Sequence, residues 1–320
     1  MNRREFLETT GTLAALAAVP GALSASPQSP PSRGRLMKVA LTPGSIGVTV
    51  KTQAELNDLA HRHKYESVEP RGEELATMTT DQVAATLADL KAKNLVWAAA
   101  GLPVDFRADE ALFRKGMTGL PRIAAGLQRA GVTRVGTWLT PNSDTLTYRR
   151  NFQQTATRLR EMGTVLKDHN LRLGLEYVGT QRSLVSRRYP FVHTLAETRE
   201  LIAEAGTGNL GLVLDTWHWW TAGDTAEDIL TLTNADVVSV DLNDAPSGLE
   251  KRDQRDNQRE LPMATGVIGV TTFLNALQAI GYDGPVRPEP FSQAVNAMEN
   301  DDACAAASVA LHKAMGTIGV

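Results

Sequence analysis

Four acidic residues stand out because each closes a short apolar run that reads as a β-strand. They are Glu176 in Leu173-Gly174-Leu175-Glu176-Tyr177, Asp215 in Leu212-Val213-Leu214-Asp215, Asp241 in Val238-Ser239-Val240-Asp241-Leu242, and Glu289 in Val286-Arg287-Pro288-Glu289. Any one of them is as well explained as a helix cap or a solvated loop residue. Four at the ends of successive strands would converge at one end of a parallel sheet, where like charges repel unless a cation or shared protons lie between them. The quartet is therefore read as a divalent-metal cage. Its donors are all oxygen, which favours a hard ion, Mn2+ or Mg2+, over Co2+ or Zn2+. Asp244, just past Asp241, is expected to orient a ligand from behind, with capping of the loop beside Asn243 as the alternative. Trp217, Trp219 and Trp220 follow the Asp215 run, where indole faces suit the C–H faces of a sugar. Packing under the next helix is the alternative.

To aim those residues at one point, the chain needs strands that all run the same way. From Leu36 onward, apolar runs at 37–41, 67–69, 95–99, 134–139, 171–177, 210–214, 237–242 and 286–289 alternate with longer amphipathic stretches. Those stretches lie at 53–63, 81–93, 112–130, 147–170, 195–205, 225–233, 270–280 and 301–315. This alternation is the signature of repeated βα units. Gly131, Gly206 and Gly281 each follow a helical stretch, where a left-handed cap residue is expected. Eight units without an inserted domain fit a closed α/β barrel, a (β/α)8 TIM barrel, whose functional site lies at the carboxyl ends of the strands. An open dinucleotide-binding sheet would carry Gly-x-Gly-x-x-Gly after its first strand; Pro43-Gly44-Ser45-Ile46-Gly47 lacks that spacing, and no phosphate-binding P-loop motif occurs.

The bulk numbers agree with one globular barrel. Of 320 residues, 42% are hydrophobic and 22% charged, with a formal net charge of -3, so no global field would hold a nucleic acid or an anionic membrane. The single cysteine, Cys304, excludes an intrachain disulfide or a cysteine metal cluster and is read as packing. Residues 1–33 are assigned to an export signal peptide and linker, and 34–320 to the barrel. The opening has Arg3-Arg4, then an apolar run too short for a membrane span and broken by Pro20-Gly21, then a Pro/Ser-rich stretch. The paired arginines before Phe6-Leu7 resemble a twin-arginine signal, which implies a periplasmic protein with no stable membrane anchor. His61, His63 and His193, the arginines Arg182, Arg187 and Arg188, and the group Lys251, Arg252 and Arg255 are read as solvated or capping residues.

Taken together, Gly174-Leu175-Glu176, Asp215-Thr216-Trp217-His218-Trp219-Trp220, Asn243-Asp244-Ala245-Pro246 and the string from Gly281-Tyr282-Asp283-Gly284 to Glu289-Pro290-Phe291 resemble the xylose-isomerase-like superfamily. That superfamily includes ketose 3-epimerases, inosose isomerases and dehydratases, hydroxypyruvate isomerases and, more distantly, endonuclease IV. The resemblance runs from Leu36 to His312 and says much about family and little about substrate. It implies a metal held by Glu176, Asp215 and Glu289, with Asp241 standing where relatives have a histidine. That exchange either shifts preference further toward hard cations or means that the metal is weakly held or absent. The resemblance places His218 on a substrate oxygen, with the alternative that it substitutes as a ligand, and it places Arg259 against the substrate. Where relatives continue Leu-Pro-Gly-Glu-Gly, this chain has Leu261-Pro262-Met263-Ala264-Thr265-Gly266.

The chemistry so implied is removal of a proton next to a carbonyl, with the enediolate stabilised by the metal. Glu176 and Glu289 are the acid/base pair, since the resemblance puts them on opposite faces of a sugar or polyol. The expected protein is thus a metal-dependent isomerase or epimerase. A lyase or dehydratase acting on a keto-sugar or keto-glycoside, and a non-catalytic periplasmic sugar-binding barrel, are the alternatives. Six histidines and an acidic balance disfavour a nuclease. Barrels of this kind often pair, so a homo-oligomer is open.

Overall fold

The computed structural model describes residues 34–318; the export-signal reading of 1–33 lies outside them. The strands are β1 (Lys38–Leu41), β2 (Ser67–Val68), β3 (Val96–Trp97), β4 (Ala100–Gly101), β5 (Arg134–Trp138), β6 (Asn142–Ser143), β7 (Arg172–Glu176), β8 (Tyr189–Pro190), β9 (Leu210–Asp215), β10 (Val237–Leu242) and β11 (Pro285–Pro288). Nine form one parallel sheet in the order β3-β2-β1-β11-β10-β9-β7-β5-β4. Its two edges, β3 and β4, are consecutive pieces of one chain segment, so the sheet meets itself and the fold is the expected (β/α)8 barrel. The segment read as one strand at 95–99 is split because its first half pairs with β2 and its second with β5. β6 and β8 make a small antiparallel pair beyond the barrel mouth, which no period in the sequence announced.

The helices begin where short polar side chains can satisfy free backbone N–H groups. Thr52, Asp109, Thr194 and Thr225 each accept from the third helical residue, and Thr79 with Gln82 forms a reciprocal capping box. Gly131, Gly206 and Gly281 adopt φ of 74°, 69° and 71°, the left-handed geometry that ends a helix. The helices press buried Leu, Phe and Ala onto the barrel wall, and the strands, covered on both faces, are apolar almost throughout. Inside the lumen room is scarce. A Cβ at Gly174 would lie 2.8 Å from Val213 and Val238, so the glycine two residues before Glu176 is a packing requirement. No helix among the described residues is long and apolar enough to cross a membrane. Cys304 is buried, as expected of a packing residue.

Candidate metal and catalytic site

All four acids arrive at the carboxyl end of the barrel. One oxygen each from Glu176, Asp215, Asp241 and Glu289 lies within 4.8 Å of the others, and all four residues are buried. Register explains the convergence: Asp215 stands opposite Asp241, and Asp241 opposite Arg287, on three adjacent strands. Asp215 is also the cap of the helix Thr216–Ala222, its Oδ1 accepting from the His218 N–H at 2.8 Å. The spacing Asp-x-x-His is therefore the reach of a capping side chain to the third helical residue, and it carries the His218 ring to the site.

The cluster is not left bare. Arg259 Nη1 donates to Asp215 Oδ2 at 3.1 Å and to Glu289 Oε2 at 3.2 Å, while its other nitrogens hold Asp256. Arg287 grips both oxygens of Asp241 and donates to Glu289 Oε1 at 3.1 Å. Fully ionised, the four carboxylates would exceed the two guanidiniums by two negative charges. Glu176 is the member without an arginine; its nearest basic neighbour is His218 Nε2 at 3.4 Å. A buried, charge-excess, all-oxygen donor group of this kind fits one divalent cation.

Burial, with the neighbouring carboxylates against the two arginines, sets the protonation of the group. Burial first and then repulsion by Glu289, Asp241 and Asp215 raises Glu176 well above the ordinary carboxylate range. Burial lifts Glu289 to about 8, with Asp241 raising it further and Arg287 and Arg259 opposing. Asp215 is pushed up by burial to about 6, against the pull of Arg259. The His218 imidazole is held down to about 3 by burial and by Arg259, so it is neutral at ordinary pH. Both ring nitrogens face N–H groups: the Gly179 N–H donates to Nδ1 at 3.2 Å, and Arg259 Nη2 lies 2.8 Å from Nε2. Gly179 must be glycine there, because a Cβ would stand 2.3 Å from the His218 carbonyl oxygen. One ligand atom each from Glu176, Asp215 and His218 also lies within 4.8 Å of the others, so His218 stands where a substitute ligand would.

A cavity of about 330 Å³ opens over Glu69, Glu176, Arg287 and Glu289, walled on its other side by Ala40, Thr42, the run Ala98 to Gly101, and Gly136. A second of about 440 Å³ adjoins it, sharing Trp138, Glu176, Glu289 and Phe291, and reaches His218, Arg259 and Arg187.

Two sequence expectations are corrected here. Trp217 is fully buried and lies behind the Arg259 guanidinium, 5.0 Å from ring centre to Cζ, so it supports that arginine and does not meet a ligand. Trp219 packs on Phe273, and Trp220 lies under Lys251. The reason is that all three sit on the helix after β9, whose inner face turns to the core. Asp244 likewise touches none of the quartet. Its carboxylate accepts from the N–H groups of Ala245, Thr265, Gly266 and Ile268 and pins the loop after β10. The orienting part falls to Asn243, whose amide donates to Asp215 while its oxygen accepts from the Glu289 N–H at 2.9 Å.

Arg287, Asn243, Asp256, Arg107, Trp138, Phe291 and Glu69 were not among the expected site residues. Arg287 had a signal: a charge inside an apolar strand, two residues before Glu289 and so on its side of the sheet, asks for a partner on the neighbouring strand. Trp138 and Phe291 had weaker ones; both are exposed aromatics ending or following strands, and Phe291 takes a positive φ of 42°. His193 pairs with Glu197 at 2.9 Å beside its helix start, as a capping residue would. Arg187 reaches the second cavity, whereas Arg182 and Arg188 do not line it.

The profile of a family described as xylose isomerase-like TIM barrel matches residues 58–313. The inosose isomerase of Halalkalibacterium halodurans is 28% identical over 139 residues, which cover 42% of this chain and 44% of that protein. The match thus spans under half the length of that curated relative. Among solved structures, a xylose isomerase domain protein from Alicyclobacillus acidocaldarius superposes with a TM-score of 0.76 at 29% identity, covering 89% of this chain and all of that one (100%). The IolI protein with a bound zinc atom superposes with a TM-score of 0.71 at 18% identity, covering 88% of this chain and 99% of that one; at that identity it speaks for the fold alone.

Proposed function

The chain belongs to the xylose isomerase-like TIM barrel family, and from that premise we propose that it is an isomerase or epimerase of a sugar or polyol-derived ketone, moving a proton at the carbon next to a carbonyl. The observation that carries the reading is the convergence of Glu176, Asp215, Asp241 and Glu289 within 4.8 Å beneath a cavity that admits a small polyol. When bound, a divalent ion, Mn2+ or Mg2+ before Co2+ or Zn2+, supplies Lewis-acid polarisation of the carbonyl oxygen. Glu176, Asp215 and Glu289 would hold it.

The chain's own groups do the rest. Glu176 and Glu289, both raised by burial, have proton affinities suited to taking a proton from carbon and returning it near neutral pH. His218, which lines the second cavity, meets a substrate oxygen there. Arg259, clamped between Trp217 and Phe291 and tied to Asp215, Asp256 and Glu289, keeps the carboxylates in place and meets substrate from the second cavity. Inosose isomerases among the relatives make an inosose the first substrate to try. The test is incubation in D2O with ketoses, inososes and 3-keto-glycosides: solvent deuterium entering the product is expected, and its absence from every turnover product would sink the reading.

One observation favours a second reading. The adjoining cavity of about 440 Å³ has room for a leaving group, which suits β-elimination from a keto-glycoside by the same two glutamates. Release of an aglycone would separate this lyase from an epimerase. Ligand binding with no turnover of any candidate would leave a sugar-binding barrel. Export is proposed on the sequence of 1–33 alone, with the barrel from 34 onward; the mature N-terminus recovered from a periplasmic fraction tests it. Small sugars remain the expected partners.

A further inference from the structure

We propose that Arg287 withdraws Asp241 from the divalent-cation site, leaving Glu176, Asp215 and Glu289 as its carboxylate donors, and that the same guanidinium makes ion binding weak and exchangeable. The inference rests on the divalent-site reading above and concerns which side chains serve it. Asp241 is the one carboxylate of the quartet gripped through both oxygens by a single arginine. Its side chain is fully buried, and Arg287 takes both of its oxygens, Nε on Oδ1 and Nη2 on Oδ2 at 2.8 Å. Two parallel N–H···O bonds between a guanidinium and a carboxylate are the strongest pairing that the two groups make, and parting such a pair inside a protein leaves a buried charge uncompensated. Register fixes the pair as well, since Asp241 and Arg287 stand opposite one another on β10 and β11.

Glu176 lacks any arginine, and Asp215 and Glu289 meet theirs through single N–H contacts of 3.1 to 3.2 Å and not a two-bond fork, so these three are the more readily given to an ion. Arg287 also carries a permanent positive charge on the cavity wall, next to Glu289 Oε1. At such range, in a site of low polarisability, a fixed cation opposes a second one strongly. The strand position that could have given a fourth ligand is instead an internal ion pair.

The test uses Mn2+ alone on the full chain, with free ion counted by its electron paramagnetic resonance signal. R287Q is expected to bind Mn2+ at least tenfold more tightly than the wild type, because it removes the opposing charge and releases Asp241. D241N/R287Q removes the pair together and is expected to bind within threefold of the wild type, whereas E176Q loses at least tenfold. A tenfold loss in D241N/R287Q would show Asp241 to be a ligand and overturn the inference. So would an R287Q that binds no more tightly. Should R287Q fold poorly around an unpaired Asp241, D241N/R287Q decides alone on the same threshold. Absence of saturable Mn2+ binding in every protein, wild type included, would overturn the divalent reading and this one with it. Binding that needs both Glu176 and Asp241 would remove this one only.

Discussion

The two halves of the barrel mouth are built on opposite principles. From β7 to β11 the strand ends carry Glu176, Asp215, Asp241, Arg287 and Glu289, tied by ion pairs and backbone donors. From β1 to β5 the same level carries Ala40, Thr42, Ala98, Ala99, Ala100, Gly101 and Gly136, small and mostly uncharged, with Glu69 and Arg107 at the edge. The charged half can hold an ion and move a proton; the small half leaves the volume that a substrate must fill. On the proposed function, a site divided in this way would keep its chemistry rigid and set its specificity by the size of a few alanines. The same division separates what a substitution does to rate from what it does to recognition.

The sharpest way to break the comparison is to remove one acid/base group. E289Q should lower kcat by about 10²- to 10⁴-fold with little change in KM, as expected for loss of a proton-transferring residue. A comparable loss from any substitution in the alanine wall would dissolve the distinction. The next effect in size is on the other half. Ala99→Leu should raise KM roughly tenfold or more by filling the cavity, at a cost within the range of about 1–3 kcal/mol for methylene-scale discrimination. Its Mn2+ affinity should stay that of the wild type by titration.

Gly179→Ala forces the backbone away from the His218 carbonyl. It should cost about 1–3 kcal/mol in stability by denaturant titration, as overpacking does, and lower kcat through displacement of the His218 ring that the Gly179 N–H meets. A smaller effect follows from the raised carboxylates. Asp215 at about 6 and Glu289 at about 8 bind protons in the folded state that they would release on unfolding. Their neutral forms therefore favour the fold below the unfolded carboxylate range, and that stability is lost as pH rises toward 8. In the presence of chelator, the melting temperature should fall by roughly 5 °C between pH 5 and pH 8.5, and Mn2+ should restore it at the upper end. A melting temperature flat across that range would mean that the arginines already neutralise the charged half.

The location of the chemistry was legible before the fold was known. An acid after four consecutive apolar runs is a one-dimensional pattern with a three-dimensional meaning, because parallel strands deliver their carboxyl ends to one place. Helix ends at Gly131, Gly206 and Gly281 were legible for a similar reason, a local backbone need that glycine meets most cheaply. Which tryptophan would face a ligand was not legible. Trp217, Trp219 and Trp220 are alike in sequence, and only the angle of a seven-residue helix against β10 turns them inward, while Trp138, alone at the end of β5, stays exposed. The ligand-orienting role was read at Asp244 and belongs to Asn243 for a similar reason: one position along a chain leaving a strand decides whether a side chain meets the loop or the site.

The sequence by itself determined the order of strands, the acids at their ends and the excess of negative charge that a cation or protons must balance. Those depend on residue type and period alone. Only the tertiary structure decided that Asp241 answers to Arg287, that the Gly179 N–H and Arg259 meet the two nitrogens of His218, and that the cavity lies against the alanines. Pairing between β10 and β11, and the approach of Gly179 to the helix at 216–222, are relations between residues far apart in the chain. They are set by register and close packing, which no local pattern encodes.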